Sequence, residues 1–257
     1  MTGRQEAKRA FVTGGSGDLG MAIAERLLSD GYEVSISGRD GARLESAARA
    51  LGRGSGRQVG TSVCDVTDPD SVVSALSAEE RIDVLVLNAG VAMSAPLTRT
   101  SRQDWDECFA VNVTGPFLML QSAIPRMLEE GWGRIVGIGS TGSVSGAPYT
   151  AAYCASKHAL LGLLRVAASE LLGTGVTANL VCPTFIDTAM TKRTIENIAR
   201  ATHRDFEWSE QALIKSMPLG RLLKPEEVAF AVGYLASPLA SAVNGQTLVI
   251  DGGALQT

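Results

Sequence analysis

The chain has 257 residues and a formal net charge of −4, with 45% hydrophobic and 19% charged residues. That length suits one large α/β domain or two small ones, with enough apolar material for a sizeable core. A mildly acidic chain without a Lys/Arg block is a poor nucleic-acid or anionic-membrane binder, so neither partner is expected.

The opening residues, Met1–Ala10, carry charges with no apolar run behind them, and no secretory signal is expected. The longest apolar stretch, near Ala159–Leu172, is interrupted by Arg165 and Glu170 and is too short and too charged to span a bilayer. Cys64, Cys108, Cys154 and Cys182 form no CxxC pair. They read as reduced thiols, mostly buried, and a cytoplasmic location is expected.

Strand-type runs occur at Ala10–Thr13, Glu33–Ser37, Gln58–Val63, Val84–Leu87, Arg134–Gly139, Thr177–Cys182 and Thr247–Ile250. Most are continuously apolar, as strands covered on both faces must be. Helical patterns lie between them at Met21–Ser29, Ala42–Leu51, Asp70–Ser77, Arg102–Asn112, Gly115–Glu130, Ala151–Leu172 and Pro225–Ala236. This alternation predicts a doubly wound parallel sheet of Rossmann type, with right-handed crossovers and helices on both faces. No linker or second compositional block is visible, so residues 1–257 read as a single domain. The polar, irregular stretch Thr184–Leu219 is expected to be a substrate loop at the carboxyl edge of the sheet.

The first strand runs into Thr13-Gly14-Gly15-Ser16-Gly17-Asp18-Leu19-Gly20, followed by a helix. Gly15, Gly17 and Gly20 fit G-x-G-x-x-G in the required strand–turn–helix context. Glycines let the backbone approach a diphosphate, and a helix N-terminus offers N–H groups and a favourable dipole to it. A tight turn without a ligand is the plain alternative. The ribose-reading position ends the second strand, at Ser37-Gly38-Arg39-Asp40. Gly38 leaves no carboxylate there, and Arg39 suits a 2′-phosphate, so NADP(H) is favoured and NAD(H) stays possible. Asp40 is read as the N-cap of the next helix, although a two-residue shift would make it an NAD-reading acid.

Tyr153 and Lys157 are four apart on one helix face, and Ser140 ends a strand. A nearby ammonium lowers a phenol pKa, and a tuned tyrosine can exchange a proton with an alkoxide or alcohol. A serine hydroxyl beside it can hold the substrate oxygen. Taken alone, Y-x-x-x-K is common on surface helices.

Taken jointly with the glycine turn, these residues resemble the short-chain dehydrogenase/reductase family in its short, single-domain form. Asp65-Val66, Asn88-Ala89-Gly90, Asn112, Tyr153-Cys154-Ala155-Ser156-Lys157, Pro183 and Asp251-Gly252-Gly253 extend the resemblance over nearly the whole chain. It implies an enzyme moving hydride between a nicotinamide and a carbonyl or secondary alcohol. It implies a catalytic set of Asn112, Ser140, Tyr153 and Lys157. For the cofactor it implies Gly14, Gly15, Ser16, Gly17, Asp18 and Leu19 at the diphosphate, Arg39, Asp65 and Val66 at the adenosine half, and Asn88 and Gly90 along the ribose. Tyr153 and Lys157 again, with Pro183, Ile186 and Thr188, would flank the nicotinamide. It also implies a homotetramer and a small-molecule partner. No metal site is expected from two histidines and scattered cysteines.

The sequence around Ser140–His158 is similar to bacterial reductases of β-ketoacyl thioesters and aromatic polyketides. An NADPH-dependent ketoreductase is the leading reading. A secondary-alcohol or 3-hydroxyacyl-CoA dehydrogenase using NAD is the rival enzyme, and a turnover-free NADP(H) sensor or scaffold the rival of another class. Two positions depart from the family pattern. Asp18 stands where glycine is usual and is expected to disfavour a diphosphate, and Thr184 follows Pro183 where glycine is usual.

Overall fold

Continuous apolar runs become buried strands, and their ends face one crevice. A computed structural model describes residues 7–256; the charged start at 1–6 lies outside the described residues. The strands are β1 (Arg9–Thr13), β2 (Glu33–Gly38), β3 (Gly60–Val63), β4 (Val84–Leu87), β5 (Gly133–Ile138), β6 (Val176–Pro183) and β7 (Thr247–Ile250). All neighbours pair in parallel, in the order β3-β2-β1-β4-β5-β6-β7. The chain winds outward from β1 to β3, then returns to β4 on the other side of β1. The resulting crevice beyond the carboxyl ends of β1 and β4 is where this topology binds ligands.

The helices are α1 (Asp18–Ser29), α2 (Gly41–Ser55), α3 (Pro69–Ser77), α4 (Arg102–Phe109), α5 (Gly115–Glu129), α6 (Ala151–Glu170), α7 (Ala189–Thr202), α8 (Phe206–Lys215) and α9 (Pro225–Ala236). Alternate strand residues serve opposite layers. Val12, Ile36, Val86 and Val136 pack with Ile23 and Leu27 of α1 and Val228 and Val232 of α9. Phe11, Leu85 and Ile135 pack with Leu76 of α3, Met119 of α5 and Leu164 of α6. Full burial of one such leucine stabilises by about 1.5–3 kcal/mol.

Three expectations are corrected. Thr184–Leu219 is not an irregular loop, because α7 and α8 occupy most of it. Each buries a narrow stripe, Thr191 and Ile195 in α7 and Ser209 and Leu213 in α8, too thin to stand out against their charges. The helices expected to separate after Asn112 instead form one run, Arg102–Glu129, joined by a π-helical turn at Ala110–Thr114. Pro116 marks a helix start in sequence, but the wider turn carries the chain through it. This run, rather than Ala159–Leu172, is among the described residues the one helix long and apolar enough to cross a membrane. Its buried face, Met119, Leu120, Ala123 and Met127, packs against the sheet, which accounts for its composition as that of a core helix.

Candidate active site

The glycine turn is shaped by what cannot fit. Gly14 has φ 64°, a left-handed conformation that favours glycine. A Cβ on Gly20 would run into the Gly14 carbonyl oxygen. Gly17, the N-cap of α1, has no side chain to cap the first turn. The helix N-terminus is therefore left open to an anion, as a dinucleotide diphosphate requires. The residues present fit that group.

Thr13 and Asn88 lock the turn to β4. The Thr13 hydroxyl donates to the Val86 carbonyl at 3.2 Å and accepts from the N–H groups of Asn88 and Ala89 at 2.9 and 3.0 Å. The Asn88 amide donates to the carbonyls of Thr13 at 2.8 Å and Gly14 at 3.2 Å. Asn88 thus holds the turn from the neighbouring strand. Thr13, read from sequence only as part of the motif, is the hub of this contact.

β2 does end at Gly38, with Arg39 exposed beyond it. Asp40 accepts from the Arg43 N–H at 3.1 Å and is the N-cap of α2, as expected. Asp65 does not cap the helix that follows; Asp68 does. Instead, Asp65 accepts from the Thr67 N–H at 2.9 Å and hydroxyl at 2.7 Å, and these bonds, helped by the Arg39 charge, hold its carboxyl below the usual range. Val66 is buried beside Gly115.

Asp18 behaves differently from expectation. Its carboxylate turns away to accept the Ala189 N–H of α7 at 2.7 Å. One carboxylate thereby serves two helix N-termini, its own and that of α7. Thr188, the N-cap of α7, accepts from the Thr191 N–H at 3.4 Å. Pro183 closes β6, and Ile186 is buried in the core and bridged to Leu223.

Ser140, Tyr153 and Lys157 converge at the carboxyl end of β5. Ser140 is fixed by a capping box: its N–H donates to the Ser143 hydroxyl at 3.1 Å, and its own oxygen accepts from the Gly142 N–H at 3.1 Å. The Lys157 ammonium donates to the Ile138 carbonyl at 2.8 Å and lies 5.7 Å from the centre of the Tyr153 ring. Burial pushes Lys157 down to about 8. Tyr153 is half-buried, and burial pushes its hydroxyl up to about 12 against an opposing hydrogen bond with Ser140. The lowering expected from the Lys157 ammonium does not set the direction: desolvation raises the hydroxyl, and the contact that opposes it is the Ser140 hydrogen bond.

Asn112 is buried in the π-helical turn and caps no helix end. It accepts from the Val91 N–H at 2.9 Å and donates to the Val91 carbonyl at 2.9 Å and to the Ser156 hydroxyl at 3.0 Å. Gly90 lies under both Asn112 and Lys157, since a Cβ there would stand 3.2 Å from the Asn112 Oδ1 and 3.6 Å from the lysine Nζ. Ser156, absent from the expected set, ties the π turn to α6. Its place next to Lys157 gave no signal beyond the motif.

This arrangement, an anion-ready turn beside the Ser140, Tyr153 and Lys157 cluster, is that of a dinucleotide-binding protein. A family model described as enoyl-(acyl carrier protein) reductase matches residues 16–254. D-threitol dehydrogenase of Mycolicibacterium smegmatis is 38% identical over 97% of this chain and 94% of its own. The 3-oxoacyl-[acyl-carrier-protein] reductase FabG of Rickettsia conorii is 34% identical over 96% of this chain and 97% of its own. The crystal structure of a point variant of actinorhodin polyketide ketoreductase with NADPH superposes with TM-score 0.94 at 33% identity, covering 97% of this chain and 98% of that one. The chain belongs to the short-chain dehydrogenase/reductase family. It is an NAD(P)(H)-dependent oxidoreductase acting between carbonyls and alcohols.

Proposed function

We propose that the protein reduces a ketone or 3-ketoacyl thioester with NADPH, with Tyr153 as the general acid. The observation that carries this is geometric: Lys157, anchored on the Ile138 carbonyl, stands 5.7 Å from the centre of the Tyr153 ring on the same face of α6, beside the Ser140 turn. A phenol so placed can give a proton to a developing alkoxide, with the ammonium beside it favouring the phenolate that forms. The nicotinamide, when bound, supplies the hydride. Ser140, its oxygen oriented by the capping box, holds the substrate carbonyl. Lys157 holds the ribose end of the site and replaces the proton on Tyr153. Asn112 keeps the π turn and the loop after β4 in register with Lys157.

Gly14–Leu19 and Asn88 form the diphosphate and ribose cradle, with Arg39, Asp65 and Val66 at the adenosine half. Arg39 recognises a 2′-phosphate, since the strand end at Gly38 carries no acid to repel one. Pro183 and Thr188, with the backbone of Ile186, border the nicotinamide, and α7 and α8 form a lid over the substrate. The single sheet spanning β1 to β7 supports one catalytic domain. Exposed apolar residues on α5, α6, α9 and β7, among them Phe117, Val166, Phe230 and Leu248, support a homotetramer; the four free cysteines support a reducing compartment, the cytoplasm.

The test follows loss of NADPH or NADH absorbance with a panel of ketones and 3-ketoacyl thioesters. Reduction faster with NADPH than NADH is expected. Arg39→Ala should lower kcat/KM for NADPH by about tenfold to a hundredfold and leave NADH nearly unchanged. A wild type that prefers NADH, and loses that preference on Asp40→Ala, would replace this reading with an NAD-dependent dehydrogenase.

A further inference from the structure

We propose that Asp18 is a positioning residue whose carboxylate pins the α7–α8 hairpin to the cofactor turn, so that a bound dinucleotide and a docked hairpin hold each other in place. The inference rests on the cofactor-turn and lid reading above. It does not come with the family pattern, because the glycine usual at this position has no side chain to make the contact.

The hairpin is loosely built into the molecule. Its buried apolar residues, Ile195, Leu213 and Met217, belong to neither of the two apolar layers on the sheet. α7 and α8 pack mainly against each other. The stem below them is clamped: the Asp187 N–H donates to the Leu223 carbonyl at 2.8 Å, and the Leu223 N–H to the Phe185 carbonyl at 2.9 Å. Among the described residues, the hydrogen bonds and ion pairs of residues 189–217 stay within residues 184–223, with one exception. The exception is the Ala189 N–H, which donates to Asp18 Oδ2 at 2.7 Å. The hairpin's own cap is the longer contact, Thr188 accepting from the Thr191 N–H at 3.4 Å.

The other end of this tie lies at the cofactor turn. Asp18 is the first residue of α1, whose N-terminus has no side-chain cap and is open to an anion. Two helix N-termini therefore share one carboxylate. A diphosphate on the turn adds negative charge beside it. With α7 docked, the positive end of its dipole offsets that charge. With α7 undocked, the carboxylate loses its donor while the diphosphate stays near. The dinucleotide thus favours the docked hairpin, and by reciprocity the docked hairpin favours the dinucleotide by the same factor.

The experiment uses the full chain and its Asp18→Asn and Asp18→Ala variants, with NADPH as the probe. Both substitutions remove the charge, but only Asn keeps an acceptor for the Ala189 N–H, so their difference isolates the tie. When bound NADPH is chased with excess NADP+, it should leave Asp18→Ala about threefold to tenfold faster than Asp18→Asn. Amide exchange supplies a second readout. Saturating NADPH should slow exchange in the first turn of α7 by about threefold to tenfold in the wild type. That protection should persist in Asp18→Asn and vanish in Asp18→Ala, while the glycine turn is protected in all three. Equal dissociation rates from the two variants overturn the proposal. So does full α7 protection in Asp18→Ala, which would place the coupling in contacts made by α7 itself. A protein that binds NADH but not NADPH overturns the NADPH reading alone, and the same comparison with NADH then decides the tie.

Discussion

The two edges of the sheet treat polar groups in opposite ways. At the amino edge, the buried charged groups around β1 and β5 are answered, although the buried Thr177 and Thr247 hydroxyls there have no partner. Arg134 is fully buried, donating to the carbonyls of Gly133, Gly175 and Ser237, and its guanidinium lies 4.5 Å from the centre of Trp132. Lys8 covers the same indole at 3.5 Å. Asp83 accepts from the Arg9 N–H at 2.7 Å and from Arg81 at 3.0 Å. At the carboxyl edge, the α1 N-terminus has no side-chain cap, Lys157 and Tyr153 are shifted by burial, and Tyr149 is strained. One edge is arranged for stability, and the other keeps unmet demands that a ligand would answer.

The largest effect that would test this division is Tyr153→Phe. It should lower kcat by about 10²–10⁴-fold while the melting temperature and NADPH affinity stay near wild type. A variant retaining most of its kcat would remove Tyr153 from the chemistry. At the opposite edge, Arg134→Met should destabilise by about 3 kcal/mol, leaving three carbonyls without their donor. Urea unfolding measures this, and kcat of the folded fraction should be unchanged.

Lys157→Met should move both quantities in opposite directions. Folding lowers this lysine from 10.5 to about 8, so its charge opposes folding. That opposition is complete below pH 8 and fades as pH rises toward 10.5, where the unfolded chain also sheds its proton. The variant should therefore gain about 2 kcal/mol, roughly 5 °C, at pH 7, with the gain shrinking by pH 10 and with activity lost. A destabilised variant at pH 7 would show that the Ile138 contact outweighs desolvation. Asp18→Gly should give the smallest effect. Loss of the Ala189 contact should speed amide exchange in the first turn of α7 by about threefold to tenfold, with α9 unaffected. Equal exchange in the two proteins would mean that Asp18 does not hold α7.

Legibility followed the range of the interaction. The glycine turn, the four-residue Tyr153–Lys157 spacing, the Asp40 cap and the strand end at Gly38 are local, and each needs only a few consecutive residues. Continuous apolar runs were enough for the sheet because strands buried on both faces admit no other pattern. The helices α7 and α8 were hidden, since a thin apolar stripe among charges looks like loop until another surface covers it.

The sequence alone therefore determined the doubly wound sheet, the anion-ready turn and the identity of the Ser140, Tyr153 and Lys157 cluster. Only the tertiary structure decided how these groups are tuned. The π-helical turn at Asn112 exists beside Val91, 21 residues away, and Ser156. The Asp18 carboxylate holds the first turn of α7 through a contact 171 residues distant. Burial, which no neighbour in sequence reveals, set Tyr153 near 12 and Lys157 near 8. Propensity and spacing are properties of a short segment, whereas desolvation, strain and long-range hydrogen bonds depend on what the folded chain brings alongside.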